Sequence, residues 1–522
     1  MNKHYTIGVS SGLFGAAQPE ERIAYAGISQ KAFYGALKGV EFTQIDLESV
    51  TEFKEPGLQE KIKRLKQLGI RFGIHGESYA MGGREVPLRL DSAIMDDYKR
   101  SHERLLDSLK GAGEIGAEYF LLHASESLPF LLLWREFQPF DLVDIWGRPF
   151  KDFLEQEKDW VFDWILNQDF IKNMRDIPDM GYFKQRIMER MMLQGKKEFS
   201  EKDLKDIELK AKEEAKEHIM RLVSSNTQTY GAERLAYYIT AKWMERNKDP
   251  LWINMAGENN TIEDKEFREK HEDKWVPAVA SKYIWGHFNP ETCPSGQIYD
   301  DPKQLLENYK MYFVFETGMA MKGYEKLMRL SRPLHMIYLS KQIPCKYFGV
   351  TMDFEHMLGA DIDPEQEIKE IPDGMASFVK VLHLGWPISL QPAHMPIPIG
   401  SDQQLYIYKR LYELRKKGFK SGYLIFERGG GKDPIQKSIG VLRKIVEYLE
   451  KDTPPDKLPD DFFGVGETST HSFRRQWNIV FEHAFDPLKG LITHPEEEHT
   501  FLGKAALGRG KRPEEWKKEE LR

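Results

Sequence analysis

The chain has 522 residues, of which 41% are hydrophobic and 30% charged, with a formal net charge of −7. This composition can bury a core, which excludes a disordered chain, and its acidic balance is not that of a polybasic nucleic-acid binder. One core stops growing beyond roughly 250–300 residues, so we expect a large domain with a sizeable addition, or two domains. Two cysteines, no apolar signal core and no apolar run of roughly 18 residues predict a soluble, cytoplasmic protein.

Short apolar runs alternate with amphipathic helical segments along the chain, a pattern that is typical of parallel βα units. The eight predicted strands are Tyr5–Ser10, Gly39–Leu47, Ile70–His75, Glu118–His123, Met311–Glu316, Lys346–Asp353, Ser377–His383 and Gly422–Glu427. Apolar residues recur at helical spacing in Gly57–Leu68 and Asp91–Ala112. The sequence therefore predicts an α/β fold, a (β/α)8 TIM barrel, with strands 1–4 in residues 1–123 and strands 5–8 in residues 311–451.

The gap between the fourth and fifth predicted strands, residues 124–310, is several times longer than an ordinary βα connection. Within it Ser200–Val223 starts with a candidate N-cap and is rich in Glu, Lys, Ala and Leu, which predicts a long surface helix. We expect a mainly helical insertion that is also a candidate lid over one end of the barrel. Residues 452–522 form a predicted C-terminal extension, and both additions are candidate surfaces for a partner protein.

Residues of metal-ligating type end six consecutive predicted strands, from the third to the eighth. They are His75, His123, Glu316, Asp353, His383 and Glu427, and they are followed in nearby loops by His356 and His394. Because the carboxyl ends of barrel strands open onto one mouth, we expect these side chains to converge. Imidazole and carboxylate ligands suit zinc, manganese or iron, and buried charges there are costly without a cation. We predict two or three divalent ions, with zinc expected, although any single histidine could be a hydrogen-bonded core residue.

Two loop segments beside these strands are weaker candidates. Arg428-Gly-Gly-Gly-Lys432 could cradle a phosphate, but it lacks the Walker spacing and a flexible loop is the favoured interpretation. Glu77, Ser78 and Tyr79, close to Gly82 and Gly83, could line the pocket or form a turn.

The motifs around the candidate ligands resemble those of the xylose-isomerase-like TIM-barrel superfamily and, within it, the endonuclease IV family of apurinic/apyrimidinic endonucleases. They are Gly-Ile-His75-Gly-Glu-Ser-Tyr, Phe-Leu-Leu-His123-Ala-Ser, Phe-Glu316-Thr-Gly, Gly-Val-Thr-Met-Asp353-Phe-Glu-His356, Leu-His383-Leu and Phe-Glu427. The resemblance covers residues 1–123 and 311–450 and leaves out the insertion and the tail.

The resemblance implies three cation positions. The first would lie on His75, His123 and Glu316, the second on Glu316, Asp353, His383 and Glu427, and the third on His356 and His394. The family supplies the third ion with an Asp-x-His pair, and Pro392 stands at that aspartate position here, which weakens the expectation of a third ion.

Three functions are compatible with these residues. The first is a metal-dependent hydrolase of phosphodiesters that takes an anionic, phosphate-containing substrate, with DNA at abasic sites as a candidate. The second is a sugar or sugar phosphate isomerase or epimerase, in which Glu316 and Glu427 would be the catalytic acid/base pair. The third is a metal-stabilised scaffold for a partner protein. Sugar isomerases of the superfamily share only the quartet matching Glu316, Asp353, His383 and Glu427, so the additional histidines favour hydrolysis.

Overall fold

Eight parallel strands close into a barrel in a computed structural model, which describes residues 4–11, 27–47, 49–76, 88–124, 141–175, 177–224, 232–296, 298–318, 329–388, 391–427 and 435–464. In chain order the strands are β1 (Tyr5–Ser10), β2 (Phe42–Asp46), β3 (Arg71–His75), β4 (Tyr119–His123), β5 (Tyr312–Glu316), β6 (Phe348–Asp353), β7 (Val379–Leu384), β8 (Trp386–Ile388), β9 (Gln391–Met395) and β10 (Gly422–Phe426). The barrel order is β1, β10, β7, β6, β5, β4, β3 and β2, while β8 and β9 form a separate antiparallel hairpin.

The prediction of a TIM barrel is confirmed, since each predicted run matches one barrel strand to within three residues at either end. The largest difference is at the second run, where the strand begins three residues later than predicted. Gly39 has a φ of 81°, in the left-handed region, and it therefore belongs to the turn before β2 rather than to the strand. His383 is one residue before the end of β7, and Glu427 follows β10 directly.

Side chains fill the interior of the barrel below its carboxyl end. Strands β2, β4 and β6 are buried over their whole length, as expected when helices cover the outside of a parallel barrel. One interior cluster consists of Phe42, Tyr119, Leu121, Val314, Val381 and Ile425. Gly73 on β3 makes room for the Tyr119 ring, because a Cβ there would lie 2.4 Å from it. The polar strand ends therefore stand on a packed floor.

Eighteen α-helices occur among the described residues. They are α1 (Ile28–Leu37), α2 (Leu58–Gln67), α3 (Met95–Ile115), α4 (Phe150–Gln156), α5 (Lys158–Asn167), α6 (Asp169–Arg175), α7 (Met180–Leu193), α8 (Glu201–Ser224), α9 (Ala232–Arg246), α10 (Pro250–Met255), α11 (Lys265–Lys270), α12 (Glu272–His287), α13 (Pro302–Tyr309), α14 (Pro333–Gln342), α15 (Phe354–Gly359), α16 (Pro364–Glu370), α17 (Asp402–Lys416) and α18 (Ile435–Glu450). Among them, none combines the length and apolarity that crossing a membrane requires.

The helices α4 to α13 lie between β4 and β5 and form the predicted helical insertion. Helices α10 and α12 pack against α14, and α13 packs against α3, so the insertion rests on the outer helices of the barrel. The long helix α8 follows Ser200, whose hydroxyl accepts from the backbone N–H of Asp203 at 3.3 Å, as the sequence predicts for an N-cap. The division of the chain into domains stays a prediction, and residues 465–522 of the C-terminal extension lie outside the described residues.

A buried ion pair also joins the insertion to the barrel. Arg329, ahead of α14, donates to both carboxylate oxygens of Glu233 on α9, at 2.9 and 2.7 Å. Both side chains are at most 1% exposed. Burial acts to raise the pKa of Glu233, but the neighbouring guanidinium groups of Arg329 and Arg89 lower it to about 2. The pair is therefore fully charged at neutral pH.

Two buried histidines form a further connection between the insertion and α3. Nε2 of His102 donates to the carbonyl oxygen of Asp300 at 3.0 Å, so its Nδ1 accepts from Nδ1 of His287 at 2.9 Å. A proton added to this pair would set two N–H groups against each other. Burial lowers the pKa of His102 to about 4 and that of His287 well below its usual range.

We expect the free energy of unfolding to fall as the pH drops from 6.5 towards 4. An unfolded histidine takes up a proton near pH 6.5, whereas folded His102 stays neutral until about pH 4. The difference amounts to about 3 kcal/mol below pH 4 and about 2 kcal/mol at pH 5. Urea unfolding at pH 7 and pH 5, with a chelator in every sample, measures this loss.

The matched variants for this experiment are His102→Gln and His218→Gln. The first removes one buried titrating ring and should reduce the pH dependence, whereas the second removes a partly exposed histidine of α8 and should change it far less. An unchanged slope in His102→Gln would show that other groups cause the acid sensitivity.

Candidate metal centre

Glu316, the last residue of β5, is the centre of the converged side chains. It is fully buried, and its two oxygens face different pairs of imidazoles. Oε2 lies 3.4 Å from Nε2 of His75 and 3.7 Å from Nε2 of His123. Oε1 lies 2.7 Å from Nδ1 of His383 and 3.4 Å from Nδ1 of His356. One carboxylate therefore connects residues from β3, β4, β7 and the helix that follows β6.

His383 connects Glu316 to two further carboxylates. Its Nδ1 lies 3.4 Å from Oδ2 of Asp353 and 3.4 Å from Oε2 of Glu427. The other ring nitrogen, Nε2, donates to Oε1 of Gln44 at 2.8 Å, and the same oxygen accepts from the hydroxyl of Tyr119 at 2.9 Å. In a neutral ring this contact leaves the lone pair on Nδ1, which faces the three carboxylates.

Asp353 and His356 are held by the start of α15. Oδ1 of Asp353 caps this helix by accepting from the backbone N–H groups of Glu355 and His356, at 2.7 and 2.9 Å. Oδ2 is then the oxygen that remains for the centre. Nδ1 of His356 donates to the carbonyl oxygen of Thr317 at 3.0 Å, which makes Nε2 the ligand nitrogen of the neutral ring.

The buried carboxylates of the cluster favour positive charge beside them. Burial acts to raise the pKa of Glu316, but the neighbouring imidazoles, His383 first, hold it well below the usual range. Burial likewise opposes ionisation of Asp353, whose pKa is lowered by His356. Burial acts to lower the pKa of His356, but Asp353 and Glu316 raise it to about 9. Protons on the rings or cations among them can supply the charge that these carboxylates require.

The donor set fits divalent cations. Both oxygens of Glu316, Oδ2 of Asp353 and Nδ1 of His383 are buried and lack a well-aligned hydrogen bond among the described residues. Burying charged groups without hydrogen bonds costs free energy unless a cation binds them. Carboxylate oxygens and imidazole nitrogens are ligands of zinc and manganese in proteins. Within the described part of the chain, four groups of three such residues have ligand atoms within 4.8 Å of one another: His75–His123–Glu316, Glu316–Asp353–His383, Asp353–His356–Glu427 and Asp46–His75–Glu427.

Seven of the eight residues that the sequence singles out are thus brought together, and the eighth is placed only by its backbone. His394 lies on β9, and the β8–β9 hairpin packs against α15, the helix that carries His356. The position of its side chain, and with it the predicted third ion, stays a prediction. The loop candidates Arg428–Lys432, Glu77, Ser78, Tyr79, Gly82 and Gly83 lie outside the described residues.

Sequence reasoning missed two residues of the centre, Gln44 and Asp46, which both belong to β2. Gln44 is fully buried and holds His383, and Asp46 is 4% exposed and has a ligand atom near those of His75 and Glu427. The available signal was their alternate spacing, which places Gln44 and Asp46 on the same face of the strand. Their partners lie far along the chain, so spacing alone could not identify them.

Replacing Gln44 by leucine should weaken divalent-metal binding by roughly 10- to 100-fold, as is usual when the hydrogen-bond partner of a ligand histidine is lost. The change removes the oxygen that fixes the proton of His383 on Nε2. Gln44→Glu keeps an acceptor oxygen and should restore most of the affinity. Competition with a chromophoric chelator measures the affinity, and equal binding by the leucine variant would contradict the assignment.

No protein-family model and no curated protein matches this chain. Several solved structures are similar to this chain at low sequence identity. A D-tagatose 3-epimerase-like protein is 10% identical with a TM-score of 0.39, over 86% of this chain and 100% of that chain. The 3-keto-D-glucoside 4-epimerase from E. coli is 10% identical with a TM-score of 0.38, over 86% of this chain and 99% of that chain. Endonuclease IV from Thermus thermophilus is 11% identical with a TM-score of 0.35, over 85% of this chain and 99% of that chain. Similarity at this level leaves the activity open.

Proposed function

We propose that the chain is a metal-dependent hydrolase that cleaves phosphodiesters at the mouth of its barrel. The observation that carries the proposal is the presence of His75, His123 and His356 around Glu316, at 3.4 to 3.7 Å. These three rings come in addition to the quartet of Glu316, Asp353, His383 and Glu427. A single cation would not use so many ligands, whereas two or three adjacent cations would.

The two oxygens of Glu316 are suited to hold cations on opposite sides of one carboxylate. Oε2 faces Nε2 of His75 and Nε2 of His123, while Oε1 faces Nδ1 of His383. Bound divalent cations supply Lewis-acid stabilisation of a phosphoryl group and lower the pKa of water. The residues of this chain would fix the spacing of the ions, and the packed floor beneath them would exclude bulk water from one side of the substrate.

A second candidate, isomerisation or epimerisation of a sugar or sugar phosphate, is favoured by one specific observation. Nδ1 of His383 lies within 3.4 Å of Glu316, Asp353 and Glu427, so the quartet that would serve one ion is also assembled. Glu316 and Glu427 would then move a proton between the carbon atoms beside a carbonyl group.

The two functions are separated by metal analysis and parallel assays on the purified full chain. The protein is loaded with zinc, manganese or iron, and ions per chain are counted. It is then given bis(p-nitrophenyl) phosphate, an abasic-site duplex, and ketoses in deuterium oxide. Two or more ions with phosphodiester cleavage support hydrolysis, while one ion with solvent deuterium in the sugar and no cleavage supports isomerisation.

The matched variants for these assays are Asp353→Asn and Glu365→Gln. Asp353→Asn should abolish the activity, because it removes a buried carboxylate of the centre. Glu365→Gln should leave it unchanged, since Glu365 is a solvent-accessible residue of α16 whose carboxylate pairs with Lys369 and Arg410. Equal activity in the two variants would contradict both functions.

A further inference from the structure

We infer that Asp46 is a further metal ligand and that Asp46, His75 and Glu427 form an additional seat for a divalent cation. The three residues come from β2, β3 and the end of β10, on the side of the mouth where β1 closes the barrel. Their ligand atoms lie within 4.8 Å of one another, and each residue is at most 9% exposed. The inference rests on the proposed function, since it places an ion within the same centre.

The backbone fixes Asp46 beside His75. The two residues are register partners in the parallel pairing of β2 with β3, so both side chains start from the same level of the barrel. The hydroxyl of Ser11, at the end of β1, donates to Oδ2 of Asp46 at 3.1 Å, and the backbone N–H of Asp46 donates to the Ser11 oxygen at 3.0 Å. These two hydrogen bonds with Ser11 orient the carboxylate of Asp46, and the Ser11 hydroxyl itself is uncharged.

A buried ammonium group fixes the backbone at the end of β2. Nζ of Lys31 donates to the backbone carbonyl oxygen of Asp46 at 2.9 Å and to a carboxylate oxygen of Glu52 at 2.7 Å. The Lys31 side chain is 1% exposed and is therefore held in place. It stabilises the end of β2 while the Asp46 carboxylate belongs to the group with His75 and Glu427.

The negative charge of Asp46 adds to the attraction of the centre for cations. Glu316, Asp353 and Glu427 contribute three negative charges, and Asp46 makes four. Two divalent ions would neutralise four carboxylates, and a third would leave an excess of two positive charges. An anionic phosphate ester is the kind of substrate that compensates such an excess.

His75 is shared with the group that contains His123 and Glu316. A neutral imidazole has one lone pair, so His75 serves one of these two positions at a time. The ion bound through His75 therefore has two alternative seats, one completed by His123 and Glu316 and the other by Asp46 and Glu427. Removing one seat should move the ion to the other.

The decisive experiment is anomalous diffraction at the cobalt edge on cobalt-loaded crystals of His123→Ala. We expect a peak about 2.0–2.3 Å from ligand atoms of Asp46, His75 and Glu427. The double variant His123→Ala/Asp46→Asn should lose this peak and keep the one at Glu316, Asp353 and His383. Cobalt peaks at the other groups of the centre, with no peak beside Asp46, would overturn the inference and leave the proposed function intact. Absence of cobalt from every position would instead overturn the proposed function.

Asp46→Asn in the otherwise unchanged chain gives a second readout that does not depend on the folding of the His123 variants. Loss of one ligand type from a seat changes the visible absorption of bound cobalt. We expect that spectrum to change in Asp46→Asn and to stay the same in Glu365→Gln. Identical spectra for wild type and Asp46→Asn would count against a role of Asp46 as a ligand.

Discussion

Replacing Glu316 by glutamine should remove at least one bound divalent ion per chain and lower kcat/KM for phosphodiester cleavage roughly a thousandfold. Glutamine has nearly the same volume, but it has one acceptor oxygen where the carboxylate has two. The oxygens of Glu316 face two pairs of histidines, so the variant cannot hold cations on both sides. Ion counting and steady-state kinetics measure the two effects.

The stability of the same variant distinguishes a role in metal binding from a role in folding. Without metal, Glu316 is a fully buried carboxylate whose oxygens lack well-aligned hydrogen bonds among the described residues. Because the imidazoles of His383 and His356 stabilise this charge in the folded state, removing it should destabilise the metal-free protein. Thermal unfolding in the presence of a chelator measures this, with Glu365→Gln as the control for a surface carboxylate. Added divalent metal should then raise the unfolding temperature of the wild type far more than that of Glu316→Gln, and an equal rise in both would contradict a role of Glu316 in metal binding.

Local patterns in the sequence were sufficient to predict the barrel and most of the centre. Each strand appears as an apolar run, because both of its faces are buried in a closed parallel barrel. His75, His123 and Glu316 were identifiable because each one ends such a run, and the carboxyl ends of all strands meet at one mouth. These predictions required only the hydrophobic periodicity of each segment and the type of residue at its carboxyl end.

Contacts that depend on tertiary structure could not be predicted in this way. Gln44 meets His383 across 339 positions of sequence, and no local feature of either residue indicates the other. The β8–β9 hairpin was missed because its first strand has three residues and contains Pro387, which makes a weak strand signal. The ion pair of Arg329 with Glu233 likewise joins two segments that are separate in the sequence.

Replacing Arg329 by methionine should lower the free energy of unfolding by about 3–5 kcal/mol, because one member of a buried ion pair is removed and the other stays. The guanidinium of Arg329 and the carboxylate of Glu233 make two parallel hydrogen bonds and are excluded from water. Methionine fills much of the same space, so the variant mainly leaves a buried carboxylate without its principal counter-charge. Urea unfolding of the metal-free proteins at pH 7 measures the loss.

The double variant Arg329→Met/Glu233→Leu identifies the cause of that loss. Replacing both members of a buried pair by apolar residues is often neutral, so the double variant should regain most of the stability that the single variant loses. Arg64→Met breaks the exposed pair of Arg64 with Glu60 and should cost no more than about 0.5 kcal/mol. If the double variant were as unstable as Arg329→Met, the cost would come from lost packing around the guanidinium rather than from the isolated charge of Glu233. Recovery would instead show that the loss in Arg329→Met comes from the unpaired charge of Glu233, and that apolar packing holds the insertion to the barrel equally well at this point.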